Sequence, residues 1–87
     1  MKKTVEQGFE AALHHPEAYQ QLRMLALALA VEGCTPSYIY DLFEQHRIRL
    51  REMRRYNDED VVMDCMDCIV GWCSPHERLF DPPPLVD

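Results

Sequence analysis

Three of the four cysteines crowd the last third of the chain: Cys65 and Cys68 form a CxxC pair, Cys73 follows, and His76 lies just beyond. Thiolate and imidazole are the ligands of tetrahedral zinc sites, and a CxxC pair is the working part of many thiol–disulfide oxidoreductases. Five acids (Asp58, Glu59, Asp60, Asp64 and Asp67) share the stretch, and the only tryptophan, Trp72, closes it. A second chemical group is the run from Arg47 to Arg55, which holds five of the nine cations and suits phosphate or an acidic partner.

Spacing decides among these chemistries. Val62, Cys65, Met66, Ile69 and Cys73 recur at the three- and four-residue intervals of one helix face, so the thiols read as small buried apolar groups. At 1.5 Å rise per residue, Cys73 lies about 12 Å along the axis from Cys65. Sulfurs sharing one zinc ion must come within roughly 4 Å of each other. Ligation by Cys65, Cys68, Cys73 and His76 therefore requires a break near Gly71, or Cys34 supplied from another loop. That ligand set defines a metal- or thiol-dependent alternative; the expectation is no metal and no cofactor. A redox CxxC sits at a helix N-terminus, which lowers the thiol pKa. This pair is mid-helix, with Asp64 and Asp67 beside it.

The elements that would position these groups are helices. Thr4 with Gln7 three residues later is a capping box opening a first helix over Val5–His14. Pro16 opens a second helix running to Glu32 and stopping at Gly33. Thr35-Pro36 starts a third that reaches about Tyr56. Asn57-Asp58-Glu59-Asp60 puts acids at the positive end of a fourth, up to Gly71. Ser74-Pro75-His76-Glu77 marks a short last turn over Pro75–Phe80, and Asp81-Pro82-Pro83-Pro84 begins an extended tail. The expected fold is a small all-α, four-helix bundle-like domain over residues 1–80, with a Pro-rich tail over 81–87.

The apolar faces predict the packing. The first helix has Val5, Phe9, Ala12 and Leu13 on one side. The second is apolar all round from Met24 to Val31, which predicts a central position. The third carries Ile39, Leu42, Phe43, His46, Leu50 and Met53 on one face, with His46 a core histidine that no acid at helical spacing orients. The fourth leaves only a narrow polar strip of Asp60, Asp64, Asp67 and Gly71. If helices three and four form a hairpin turning near Asn57, Arg54 meets Asp60, Arg51 meets Asp64 and Arg47 meets Asp67 along its rim.

Composition narrows the function classes. A chain of 87 residues makes one domain, and a net charge of −6 is a poor match to the phosphate backbone of nucleic acid. The longest apolar run, Met24–Val31, is far short of a membrane span, and no secretory leader pattern opens the chain. A cytoplasmic protein with reduced thiols is the expectation. Phosphate-cradling glycine loops and nucleophile elbows are absent, so no enzyme is expected.

Leu27–Leu42 resembles a helix-turn-helix, with Gly33 at the corner and Thr35-Pro36-Ser37 opening the next helix. The resemblance implies a DNA-binding regulator. It departs from that pattern where Ser37, Tyr38, Asp41, Glu44 and Gln45 would face the bases with no cation before Arg47. The leading expectation is a non-catalytic protein–protein interaction module, a small adaptor or an inhibitory, immunity-type protein. Its expected surface is Tyr38, Tyr40, Arg47, Ile48, Arg51 and Trp72, because Tyr, Trp and Arg dominate interface energies. The partner would be another protein or a second copy of the chain.

Overall fold

The computed structural model describes residues 4–71 together with residues 79 and 80. Among them the chain forms four helices: α1 (Val5–Leu13), α2 (Ala18–Val31), α3 (Pro36–Glu52) and α4 (Tyr56–Val70). The protein is all-α, as its sequence implies.

Local chemistry sets most of the helix ends. At α1, the Gln7 N–H donates to Thr4 Oγ1 at 3.1 Å and the Thr4 N–H donates to Gln7 Oε1 at 3.0 Å, completing the capping box. At α3, the Tyr38 N–H donates to Thr35 Oγ1 at 3.2 Å, and Pro36 takes the first position, where no N–H is needed. Gly33 ends α2 in the left-handed region (φ 103°). The Gly33 and Cys34 N–H groups then reach back to the carbonyls of Ala30 and Leu29 at 3.0 and 3.1 Å, a Schellman motif.

Two boundaries differ from the expectation. α2 starts at Ala18, because the Glu17 N–H donates to His15 Nδ1 at 3.0 Å and holds the residues around Pro16 in a turn. α3 ends at Glu52, four residues before Tyr56. Its stop is a second Schellman motif: the Arg54 N–H bonds to Arg51 O at 3.0 Å and the Arg55 N–H to Leu50 O at 2.9 Å. Arg54 takes the left-handed position with φ 59°. A side chain there costs about 1–2 kcal/mol, so nothing in the residue type announces the turn.

The early turn moves the hairpin register. With the corner at Arg54 instead of Asn57, Arg47 lies opposite the first turn of α4. None of the three expected rim pairs forms; Arg47 pairs with Glu59 instead, at 2.7 Å. Met53, expected on the buried face, falls beyond the end of α3 and is exposed.

The four helices pack as two hairpins, α1 with α2 and α3 with α4, and α2 rests against α4. Phe9, Leu22, Ile39, Phe43, Leu50, Val62, Cys65 and Ile69 form the fully buried centre. Phe9 meets Phe43 edge-on, ring centroids 4.7 Å apart, and stacks on the His46 ring at 4.5 Å. Beyond α4, Gly71 is left-handed (φ 86°) and the Leu79 N–H donates to the Cys68 carbonyl at 3.1 Å, which satisfies one orphan acceptor of the last turn. Leu79 and Phe80 pack partly buried against the core. The rest of the expected last turn, and the tail, lie outside the described residues.

α2 is not central. Leu22, Ala26 and Leu29 face inward, while Met24, Leu27, Ala28 and Val31 line an exposed stripe. Its three neighbours leave that stripe uncovered, so the all-round apolar sequence is only partly used. No helix among the described residues is long and apolar enough to cross a membrane.

Replacing Arg54 with glycine relieves the left-handed side chain while loosening the unfolded chain slightly. Arg54→Gly is expected to stabilise the protein by about 0.5–1 kcal/mol, raising Tm by roughly 2–8 °C in calorimetry. An unchanged or lower Tm would show that Arg54 is not held left-handed.

Candidate functional site

The sulfur cluster resolves first. Cys65 and Cys68 are both buried, and Cys34 is half-buried. Burial pushes the Cys65 thiol up to about 12, with the neighbouring Cys68 adding to the rise. Cys68 Sγ lies 3.0 Å from the Tyr19 hydroxyl, in hydrogen-bond contact, and Arg23 Nη1 donates to that hydroxyl at 3.5 Å. Burial, with Cys68 beside it, also raises the Tyr19 phenol to about 12. The Cys65 thiol and the Tyr19 phenol are therefore neutral at ordinary pH, and a neutral Cys65 is the reverse of the thiolate that ligation or thiol exchange requires. Cys73 and His76 lie outside the described residues. Among those that are described, no three His, Cys, Asp or Glu side chains gather where a metal ion could sit.

The expected α3 surface divides. Tyr38, Ile48 and Arg51 are exposed, but Tyr40 is half-buried against the core. Successive residues turn 100°, so Tyr38 and Tyr40 emerge on different flanks, and Tyr38 and Ile48 sit about 15 Å apart along the axis. Burial raises the Tyr40 pKa, and Glu44 and Asp67 push it further the same way. Arg47 is held on both sides, by Glu44 one turn back and by Glu59 of α4. Those acids hold its pKa well above the ordinary arginine value. Trp72 lies outside the described residues.

The most developed polar constellation joins α1 to the α3–α4 hairpin, and sequence spacing does not announce it. Glu10 places one carboxylate oxygen 3.1 Å from His46 Nε2 and the other 2.8 Å from Arg55 Nη1. Arg55 also donates from Nε to Asp58 at 2.9 Å, and His14 Nε2 lies 3.9 Å from Glu10 on the solvent side. Burial pushes the Glu10 carboxyl up, but Arg55 and then His46 outweigh it and hold it below its ordinary value. An ionised carboxylate can only accept, so His46 Nε2 carries the hydrogen and donates. Burial lowers the His46 pKa against the upward pull of Glu10 and Glu6, while Arg49 lowers it slightly more. The imidazole is thus neutral, stacked on Phe9 and committed to a fixed partner. Beside it a cleft of about 260 Å³ opens between α1 and α3, and the Glu6–Arg49 ion pair spans its rim.

One large surface feature is mostly apolar. Met24, Leu27 and Val31 project from α2 at 61%, 44% and 88% exposure. Next to them a groove of about 400 Å³ runs between α1 and α2, floored by Gly8, Leu25, Ala28 and Leu29 and lined also by the exposed Glu32. No signal in the sequence separates this face from the buried side of α2, since both are equally apolar.

Comparison with protein-family models, curated proteins and solved structures returned no match for this chain.

Two outcomes follow from the thiol and histidine environments. Iodoacetamide treatment of the native protein near pH 8, followed by mass mapping, is expected to label Cys34 well before Cys65 and Cys68, which should react only as fast as the chain opens. Rapid labelling of Cys65 in the folded state would contradict its burial. For His46, the folded chain binds a proton less readily than the unfolded chain. Its contribution is therefore complete above the ordinary value of 6.5 and is lost as pH falls below it. Glu10, whose folded value is also lowered, adds a second loss as pH falls through and below 4.5. Urea midpoints should drop between about pH 7.5 and about pH 5.5, and His46→Gln should flatten part of that drop. An equal slope in the variant would remove His46 as its source.

Proposed function

We propose that this protein is a non-catalytic protein–protein interaction module, acting as a small adaptor or as an inhibitor that works by occupying its target. The uncharged apolar stripe of Met24, Leu27, Ala28 and Val31 beside the α1–α2 groove carries the reading. Contiguous exposed apolar surface of this kind marks contact sites in small soluble proteins. The polar groups support the same reading from the other side. His46, Glu10, Arg47 and Glu59 are all consumed in internal bonds, and their network sets how the helices meet. Catalysis would need a base or nucleophile left poised toward a substrate. The buried neutral thiol of Cys65 does not offer one.

A metal- or thiol-dependent role gains no support from the described cysteines, and a helix-turn-helix role gains none from α3. The first turns of α3 show Ser37, Tyr38 and Asp41 to solvent, and the nearest cation, Arg47, is neutralised by two acids.

Native mass spectrometry of the untagged full chain, purified from its own host, tests the proposal. A stoichiometric protein complex is expected, lost in Leu27→Glu and kept in Ile48→Glu, which changes an exposed apolar residue on α3. A chain that elutes alone, or a complex indifferent to Leu27→Glu, sinks the reading.

A further inference from the structure

We infer that the cleft between α1 and α3 is a binding site for a small uncharged molecule with an apolar ring and one O–H or N–H donor, the donor meeting Nδ1 of His46. The cleft is separate from the α1–α2 groove, since only Val5 borders both, and neither reading depends on the other. An unused ring nitrogen, the make-up of the walls and the volume carry the inference.

His46 spends only one of its two ring nitrogens inside the fold. Nε2 donates to Glu10, so Nδ1 keeps its lone pair and can only accept. Among the described residues nothing donates to Nδ1. Every sealed side-chain nitrogen or oxygen among them has a partner, so Nδ1 is not sealed. His46 is 5% exposed, and the opening it lines is the α1–α3 cleft. Nδ1 therefore offers that cleft one acceptor. The Phe9 ring stacked at 4.5 Å and the Glu10 bond at 3.1 Å fix the imidazole, so the acceptor is aimed before anything binds. Burial leaves the ring less basic than usual, and Nδ1 takes a hydrogen bond without taking the proton.

The walls select the rest of the molecule. Val5 and Phe9 of α1 and Leu42 of α3 are apolar and suit a ring. The charged residues of the lining, Glu6 and Arg49, pair with each other across the rim. An uncharged molecule leaves that pair intact. A carboxylate would have to displace Glu6 from Arg49 and would set its own lone pairs against Nδ1. An ammonium group would have to displace Arg49 from Glu6. A neutral hydroxyl or N–H group meets the acceptor at neither cost.

Volume limits the size. The cleft holds about 260 Å³. An enclosed apolar cavity of about 150 Å³ takes benzene, whereas drug-sized ligands occupy about 300–1,000 Å³. One six-membered ring with a short substituent fits, and a nucleotide or a folded peptide does not. Phenols are the simplest members of the class. With so few atoms in contact, phenol itself should bind with a dissociation constant on the order of 1–10 mM.

Nuclear magnetic resonance titration of the isotope-labelled full chain with phenol tests the inference. Saturable shifts are expected at the Val5, Leu42 and Arg49 amides, and the His46 Nδ1 resonance should move to lower frequency as its lone pair accepts the phenolic hydrogen. Anisole keeps the ring and the oxygen but has no hydrogen to donate, and should bind about tenfold more weakly. Leu42→Trp fills the cleft and should abolish the phenol shifts, with circular dichroism confirming that its helices are kept. His46→Phe removes the acceptor and should bring phenol and anisole within about twofold of each other. If that variant does not fold, the Nδ1 resonance and Leu42→Trp decide the matter. Equal affinities for phenol and anisole in the wild type, a stationary Nδ1 resonance, or shifts confined to Met24, Leu27 and Val31 would each overturn the site. So would the lack of any saturable shift below the phenol concentration that unfolds the chain. Each of these failures leaves the α1–α2 interaction reading standing.

Discussion

One carboxylate holds the two halves of this protein in register. Glu10 leaves the middle of α1 and offers an oxygen each to His46, in the centre of α3, and to Arg55, in the turn that follows it. The α1–α2 hairpin and the α3–α4 hairpin each have a local reason to form. One hairpin sits on the other where α2 packs on α4 and α3, and where Phe9 stacks on His46 and Glu10 binds its Nε2 hydrogen. The imidazole is almost fully enclosed. A buried N–H with no acceptor costs about 1–3 kcal/mol, so any docking that misplaces Glu10 is penalised beyond its lost apolar contact.

This junction also organises the surface. Glu10 of α1 turns to His46 of α3 and Arg55 of the α3–α4 turn, and Arg23 of α2 lies over Tyr19. The first hairpin keeps an apolar stripe on α2 between the exposed Glu17 and Glu32, while α4 displays Asp60, Asp64 and Asp67 on the opposite hairpin. A chain with 28% charged residues ends up with one apolar stripe and one acidic strip. The stripe gives the proposed contact surface its character.

What could be read from the sequence was what depends on neighbours along the chain. The Thr4–Gln7 capping box, Thr35-Pro36 at the start of α3, and Gly33 and Gly71 at helix ends all act within a few residues, and each does as its type implies. The core positions Phe9, Ile39, Phe43, Leu50, Val62 and Ile69 follow from helical period. Two kinds of information were hidden. Arg54 adopts a conformation its side chain disfavours, so the corner it makes was invisible, and the Arg47, Arg51 and Arg54 ladder built on a later corner failed with it. The partners Glu10 and His46 stand 36 residues apart, where helical spacing says nothing. An all-apolar α2 likewise gives no clue to which of its sides the neighbours take.

The pairing of Arg47 with Glu59 bears on alternative packings of the same two helices. α3 and α4 meet through apolar faces that repeat every turn, and such faces fit nearly as well after a shift of one turn, about 5.4 Å. Glu59 is buried at the contact, and Arg47 is mostly covered. A slipped arrangement would strand a carboxylate against apolar neighbours, at a cost of about 3–5 kcal/mol for a broken buried pair. That is a large share of the total stability of a domain this small. The pair adds little to the native arrangement in net terms, because its own desolvation offsets most of the attraction. Its effect is to make the nearest competitors inaccessible, so that two interchangeable-looking surfaces have one way to fit.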